Sequence, residues 1–214
     1  MPTRYGRQCM IALSAAALFV ACKPKENATT DTSTAAGAVA PTDTNKAKTD
    51  SSAATANLNS AAGWTDGQIL AFVTAANKGE IAEGKLATTK ATNPKVKAFA
   101  RLMVTDHTAM LNEGNSFAKK NNITPDSTKN DVTDLEKDAK NELQDLTTKA
   151  KGNDWDKDFV NNEIDGHKKV LDKLQGMKQA TTNPQLGAML TKATAKVQEH
   201  LQKAQALKDS TLKS

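Results

Sequence analysis

The sequence predicts an all-α fold, a four-helix bundle made of two helical hairpins with an extra connecting helix between them. From Trp64 onward, apolar residues recur at the spacing of an amphipathic helix, and no stretch alternates as a half-buried strand does. The tripeptide Thr-Asn-Pro opens a helix twice, at residues 92–94 and 182–184. Each instance divides a pair of helices, and two such pairs make a four-helix bundle.

Residues 1–22 are predicted to be a lipoprotein signal peptide. Arg4 and Arg7 give it a basic start, and the apolar run at residues 10–20 is about half the ~20 residues that a spanning helix needs. The run ends in "FVAC", which resembles a bacterial lipobox, so Cys22 is the predicted lipidation site and mature N-terminus. Plain secretion with cleavage nearby is the alternative.

The predicted location is the cell envelope. Lys23 rather than aspartate follows the acylated cysteine. By resemblance to known sorting rules this favours the outer membrane, facing the periplasm, in a host with two membranes. We therefore expect the chain to be anchored to a membrane through its lipid.

Composition and motifs argue against a nucleic-acid partner, an internal disulfide and several kinds of enzyme or binding site. Removing Arg4 and Arg7 from the 29 basic residues leaves a net charge of about +3 against 24 acidic residues, which gives no reason to expect a nucleic-acid partner. Cys9 leaves with the signal peptide, so an internal disulfide is excluded. The chain has no glycine-rich phosphate loop, nucleophile elbow, CxxC pair or acidic calcium loop.

Residues 23–62 are predicted to be a disordered linker, and residues 63–210 the helical domain. The first helix is expected over residues 65–89, and the second opens at Asn93 and Pro94 and runs to Lys120. Ser127 is predicted to cap a third, more polar helix that ends at Gly152. The fourth is expected over residues 155–179, and the fifth opens at residues 183–184.

Ionisable side chains interrupt the apolar faces of four of these helices. At about 100° per residue, they fall among the core positions of each helical wheel. They are Glu80 and Glu83 on the first helix, His107 on the second, Glu163 and His167 on the fourth, and His200 on the fifth. All three histidines of the protein therefore point inward.

Their positions along the helices match as well. Glu80 lies 13 residues before Asn93 and His107 lies 14 after it, a difference in level of about 1–2 Å. Glu163 and His200 are placed similarly, 19 residues before and 18 after Thr182. Each hairpin is thus expected to set a carboxylate opposite an imidazole. Whether the two hairpins share one level stays open from the sequence.

Two interpretations fit such a layer, because buried charges are costly unless they pair or bind metal. One is a metal site formed by Glu80, Glu83, His107, Glu163, His167 and His200. The other is a hydrogen-bonded Glu–His network that fixes helix register without a ligand.

The residues also resemble a known family. "AFVTAANKGEIAEGKLATTKATNPKVKAFARLMVTDHTAM", "DFVNNEIDGHKKVLDKL" and "VQEHLQKA" are similar to the bacterial domain of unknown function 4142. The resemblance covers residues 64–207, and its most specific parts are Gly79-Glu80, residues 84–87, Asp106-His107, His167 and His200. It implies an extracytoplasmic domain with a ferritin-like four-helix bundle.

The chemistry of di-iron proteins is not expected to follow from that fold. Those centres use a Glu-x-x-His pair on each of two helices. Here Val104 and Val197 occupy the positions three residues before His107 and His200. A single ion of iron, zinc, copper or manganese with mixed His and Glu ligands remains chemically reasonable.

The sequence therefore favours a lipid-anchored envelope protein that stores, senses or buffers one transition-metal ion without turning over a substrate. The alternative is a non-catalytic interaction module of the envelope whose buried Glu–His layer is structural. A redox enzyme that uses one metal ion is the third hypothesis.

Overall fold

The computed structural model describes residues 63–211, and the regular structure in this range is entirely helical. Its elements are α1 (Asp66–Lys90), α2 (Pro94–Lys120), α3 (Asn130–Thr148), α4 (Asn153–Ala180) and α5 (Pro184–Thr211). The predicted all-α bundle is confirmed. The predicted signal peptide, Cys22 and the linker lie outside the described residues. Within the described part, none of the helices has the length and apolar character to cross a bilayer.

The starts of the hairpin helices follow from local side-chain caps. Thr65 and Gln68 form a reciprocal capping box at α1. Asn93 and Asn183 each accept a hydrogen bond from a backbone N–H in the first turn of the helix that follows. The predicted Asn-Pro openings of α2 and α5 are confirmed.

The start of α3 differs from the prediction. Ser127 does not cap it, because the helix begins three residues later, at Asn130. Asp126 instead accepts a hydrogen bond from the Thr128 N–H, and its own N–H donates to the carbonyl of Gly67. These bonds hold the segment between α2 and α3 against the start of α1. The backbone therefore becomes helical only after this segment, at Asn130.

The end of α3 also differs. The helix stops at Thr148, and Gly152 precedes α4 instead of terminating α3. The ammonium of Lys90 donates to the carbonyls of Leu146 and Thr147. These carbonyls of the last turn therefore have a donor without further helix, and α3 ends earlier than predicted. Gly152 has φ 148°, a conformation that favours glycine.

The four long helices form a bundle in which α1 pairs with α2 and α4 pairs with α5. Helix α2 also packs on α5, and α1 on α4, which closes the square. Helix α3 lies outside it, mainly against α1 and partly against α4. This third helix therefore covers the groove between the first helices of the two hairpins.

The apolar interior is divided into two clusters. One joins the first half of α1 to the end of α4 and contains Phe72, Leu174 and Leu186. The other joins the end of α1 to the start of α4 and contains Phe99 and Phe159. The buried histidines and glutamates lie between these two clusters. The polar layer thus occupies the middle of the bundle.

Each hairpin turn is fastened to the other hairpin by an aspartate. The buried carboxylate of Asp156, in the first turn of α4, accepts hydrogen bonds from the backbone N–H groups of Thr92 and Asn93 and from the Thr92 hydroxyl. Asp66 accepts one from the hydroxyl of Thr181 in the other turn. These contacts fix the level of one hairpin relative to the other.

Candidate metal centre

Three imidazoles from three helices meet at mid-height in the bundle. The ring centroid of His107 lies 5.1 Å from that of His200 and 5.8 Å from that of His167, and the last two are 5.6 Å apart. The exposed fractions of the three residues are only 0–3%. The two hairpins therefore share one level, the point that the sequence left open.

One nitrogen of each ring donates a hydrogen bond to a fixed acceptor. His107 Nδ1 donates to Asn77 Oδ1 at 2.8 Å, and His167 Nδ1 to the carbonyl of Glu163 at 2.7 Å. His200 Nε2 donates to a carboxylate oxygen of Asp106 at 2.9 Å. Asn77 is oriented in turn, because its amide nitrogen donates to the carbonyl of Val73.

A neutral imidazole has one N–H, so in that form the other nitrogen of each ring carries a lone pair. These atoms are His107 Nε2, His167 Nε2 and His200 Nδ1, and each is buried without a hydrogen-bond partner. One side-chain nitrogen from each histidine lies within 4.8 Å of the other two. Three lone pairs cannot satisfy one another, so a cation or a set of hydrogen-bond donors would be stabilised among them.

Burial also favours the neutral form of two of these rings, those of His107 and His200. It lowers the pKa of His107 to about 4, against the opposing effect of the Glu80 charge. Burial likewise lowers the pKa of His200, although its hydrogen bond to Asp106 works in the other direction. Neutral imidazole is the form that coordinates a metal.

Two carboxyl groups adjoin the histidines. Glu80 Oε1 and Glu163 Oε2 lie 3.7 and 3.5 Å from His167 Nδ1, and these three residues form a second group within 4.8 Å. Neither carboxyl oxygen of Glu163 has a hydrogen-bond partner. Burial, followed by the charge of Glu80, raises the pKa of Glu163 well above its usual value. A bound cation would offset the cost of burying an ionised Glu163 carboxylate next to Glu80.

Glu83 is buried as predicted but belongs to neither group. Its side chain faces α3, and burial together with the charges of Glu80 and Glu142 raises its pKa to about 9. The structure thus places five of the six predicted residues in two groups that share only His167, and it leaves Glu83 one turn away. That any of them binds metal stays a prediction.

Asn77 and Asp106 are site residues that the sequence analysis missed. Asn77 precedes Glu80 by one helical turn on the same face of α1, which was a usable indication. Asp106 directly precedes His107 but supports the histidine of another helix, His200. Only the packing of α2 on α5 creates that contact.

A small cavity of about 30 Å³ lies beside the imidazoles. Its walls include the polar side chains of His107, His167 and Glu80 and the apolar side chains of Phe72 and Leu174. The space is large enough for a water molecule. A metal ion held by the histidines would therefore have room for a solvent ligand.

The fold and this centre define an all-α helical-bundle protein with a buried histidine and glutamate cluster that could hold a metal ion. The family model described as "Domain of unknown function (DUF4142)" matches residues 32–207, so the chain belongs to this family. The predicted family is confirmed, and the match begins within the segment predicted as linker. Neither the curated proteins nor the solved structures include a significant match.

Proposed function

We propose that this protein binds one transition-metal ion through His107, His167 and His200. The carboxylate of Glu163 or Glu80 lies beside the N–H of His167 and would become a further ligand by turning toward the ion. The observation that carries the proposal is a cluster of three histidines, each with one buried ring nitrogen that has no hydrogen-bond partner and each with a nitrogen within 4.8 Å of the other two. Each ring is held in the required tautomer by an acceptor on its far side, the usual arrangement around a protein-bound metal.

The donor set favours certain ions. Three imidazoles with a carboxylate suit zinc, copper or iron, and manganese becomes competitive as more carboxylates bind. A tetrahedral zinc ion has ligands at about 2.0–2.2 Å, so the nitrogens need only small rotations to reach it. The protein would store, sense or buffer the ion in the cell envelope, held there by a lipid on Cys22.

The alternative, an interaction module with a structural Glu–His layer, fits the geometry less well. A layer selected for register would pair its members, as Asp156 is paired with the turn of the first hairpin. Here five buried side-chain atoms of the layer have no hydrogen-bond partner. Such a layer would be costly without a ligand.

The test is metal analysis of the purified protein after equilibration with each of the four ions. We expect about one equivalent of the preferred ion in the wild type and less than a tenth in His107→Ala and His200→Ala. Glu199→Gln is the control, because Glu199 adjoins His200 in sequence but forms surface ion pairs with Lys196 and Lys203. A wild type that retains none of the ions would refute the proposal and leave the interaction module.

The envelope location has its own test. Wild-type protein is expected in the membrane fraction and a Cys22→Ala variant in the soluble fraction. A variant that remains with the membrane would rule out the lipid anchor.

A further inference from the structure

A cleft of about 50 Å³ lies between α3 on one side and α1 and α4 on the other, next to the candidate metal centre. Five carboxyl groups line it and only one lysine, Lys169. The carboxyl groups come from three helices and are those of Glu80, Glu83, Asp138, Glu142 and Glu163. Two of them, Glu80 and Glu163, also adjoin His167. The cleft and the metal centre therefore share a wall.

Exposure falls steadily along this wall. The exposed fraction of the side chain is 57% for Asp138, 16% for Glu80 and 1% for Glu163, with Glu142 half-buried. The carboxyl groups thus form a series from the surface to the imidazoles. Both oxygens of its innermost member, Glu163, lack a hydrogen-bond partner.

The outer carboxyl groups of the cleft, Asp138 and Glu142, have a single lysine beside them. Lys169 lies 3.9 Å from Asp138 at the outer edge, and both side chains are exposed. Burial and the charges of Asp138 and Glu80 raise the pKa of Glu142 despite that lysine. Negative charge concentrated between low-dielectric walls attracts cations and raises their local concentration.

The larger groove on the opposite side, between α2 and α5, differs in this respect. It has a volume of about 210 Å³, and its two acids are each matched by a lysine. Lys192 lies 3.2 Å from Glu113, and Lys196 lies 3.4 Å from Asp106. This groove offers a cation more space but no excess of negative charge.

We propose that the acidic cleft beneath α3 is the entrance through which a divalent transition-metal ion reaches the histidines. Asp138 and Glu142 capture the hydrated ion at the surface, and Glu80 and Glu163 exchange its waters for carboxylate oxygens before the imidazoles bind it. This inference rests on the proposed metal site and adds the route by which the site is filled.

The close contact of α3 with α1 positions the outer carboxylates. A Cβ atom at Gly79 would lie 3.0 Å from the Cβ of Ala139, so the two helices approach closely beside the cleft. Asp138 and Glu142 flank that contact on α3. The polar third helix is thereby assigned a role in metal uptake.

The experiment measures the rate of Co²⁺ binding to the metal-free protein by stopped-flow absorption at low ionic strength. The variant is the double substitution Asp138→Asn/Glu142→Gln. Its matched control is Asp134→Asn/Glu136→Gln, which removes the same charge from exposed positions of the same helix. We expect the association rate constant of the first variant to fall about tenfold and to lose most of its dependence on salt. The control should stay within twofold of wild type.

Equilibrium stoichiometry separates the two proposals. If both double variants and the wild type bind one Co²⁺ at the same rate, the entrance is refuted while the metal site stands. If the rate falls instead in Glu113→Gln, the ion enters between α2 and α5 and the inference is also wrong. A wild type that binds no Co²⁺ and none of the four other ions refutes the site and the entrance together.

Discussion

In each buried histidine, the hydrogen bond made by one ring nitrogen determines whether the other nitrogen carries the lone pair. A hydrogen bond from Nε2 of His200 to the Asp106 carboxylate leaves the lone pair on Nδ1, which is buried and has no hydrogen-bond partner. The negative charge of the acceptor makes the ring a stronger electron donor. A residue that never touches the ion therefore influences its affinity.

Asp106→Asn tests this influence. We expect the dissociation constant for Zn²⁺ to rise about tenfold, because the charge-assisted bond that orients His200 is weakened. Competition with a chromophoric chelator measures it. Glu113→Gln, an exposed position on the same helix, serves as the control. Equal affinities in wild type and Asp106→Asn would contradict the assigned tautomer.

The buried carboxyl group of Glu83 makes the stability of the fold depend on pH. Its folded-state pKa of about 9 exceeds the ordinary value of 4.5, so the folded protein retains a proton that the unfolded chain loses between these pH values. The stability linked to this proton is complete below pH 4.5 and is lost progressively as the pH rises toward 9.

Glu83→Gln replaces the protonated form with a neutral side chain of the same shape. In the metal-free protein we expect it to raise the free energy of unfolding by roughly 1–3 kcal/mol at pH 8 and to have little effect at pH 4.5. Urea unfolding at the two pH values measures the difference. A variant that is equally destabilised at both would show that Glu83 is ionised and paired in the fold.

At the scale of the elements, two features determine how the hairpins assemble. The first is the hydrogen-bonded turn, in which Asp156 of α4 accepts from the backbone of the α1–α2 connection. The second is the close approach of α1 and α2 at Gly84. A Cβ atom there would lie 2.9 Å from Val104 Cγ2 and 3.1 Å from the carbonyl oxygen of Ala100.

Asp156→Ala is expected to lower the free energy of unfolding by about 2–4 kcal/mol, because it removes the buried acceptor of hydrogen bonds from the backbone N–H groups of Thr92 and Asn93 and from the Thr92 hydroxyl. The neighbouring exposed Asp154→Ala should cost no more than about 1 kcal/mol. Chemical denaturation measures both. Similar losses in the two variants would mean that only the charge near the start of α4 matters.

Gly84→Ala is expected to cost about 1–3 kcal/mol, since the stiff side chain of Val104 and a backbone carbonyl have to yield. Gly176→Ala is the matched helical substitution, with no neighbouring atom within 4 Å of the added carbon. It should stabilise the protein by about 0.4–1 kcal/mol through the unfolded state. Thermal unfolding of both variants gives the comparison, and a stabilising Gly84→Ala would contradict the close packing of α1 on α2.

At the scale of the whole molecule, the proposed ion would join the two hairpins. One of its histidines comes from α2 and the other two come from α4 and α5. An ion bound only by the folded protein stabilises it by mass action. Its effect should therefore appear in the unfolding of the entire bundle, not in one helix.

With free metal at 100 times its dissociation constant, the free energy of unfolding should rise by about 2.7 kcal/mol, which corresponds to a rise of roughly 5–11 °C in Tm. Differential scanning calorimetry with and without a chelator measures it. His167→Ala should show no such shift. A wild-type Tm that does not respond to any of the four ions would contradict the proposed function.

Much of the fold could be read from local sequence. Helix starts such as Asn93-Pro94 depend on residues a few positions apart, and the inward direction of His107 or Glu163 follows from helical periodicity. The predicted cap at Ser127 was wrong because a long-range bond between Asp126 and Gly67 redirects the chain there. A helix boundary that depends on such a long-range contact cannot be predicted from the residues next to it in the sequence.

The sequence by itself determined the five helices, the two hairpins and the inward position of six ionisable side chains, because each depends on spacing within one helix. The tertiary structure alone decided that the hairpins share one level, that Asp106 and Asn77 orient the rings, and that Glu83 faces α3. These features depend on how separate helices pack against one another. Packing between distant segments also set the distances on which metal binding depends.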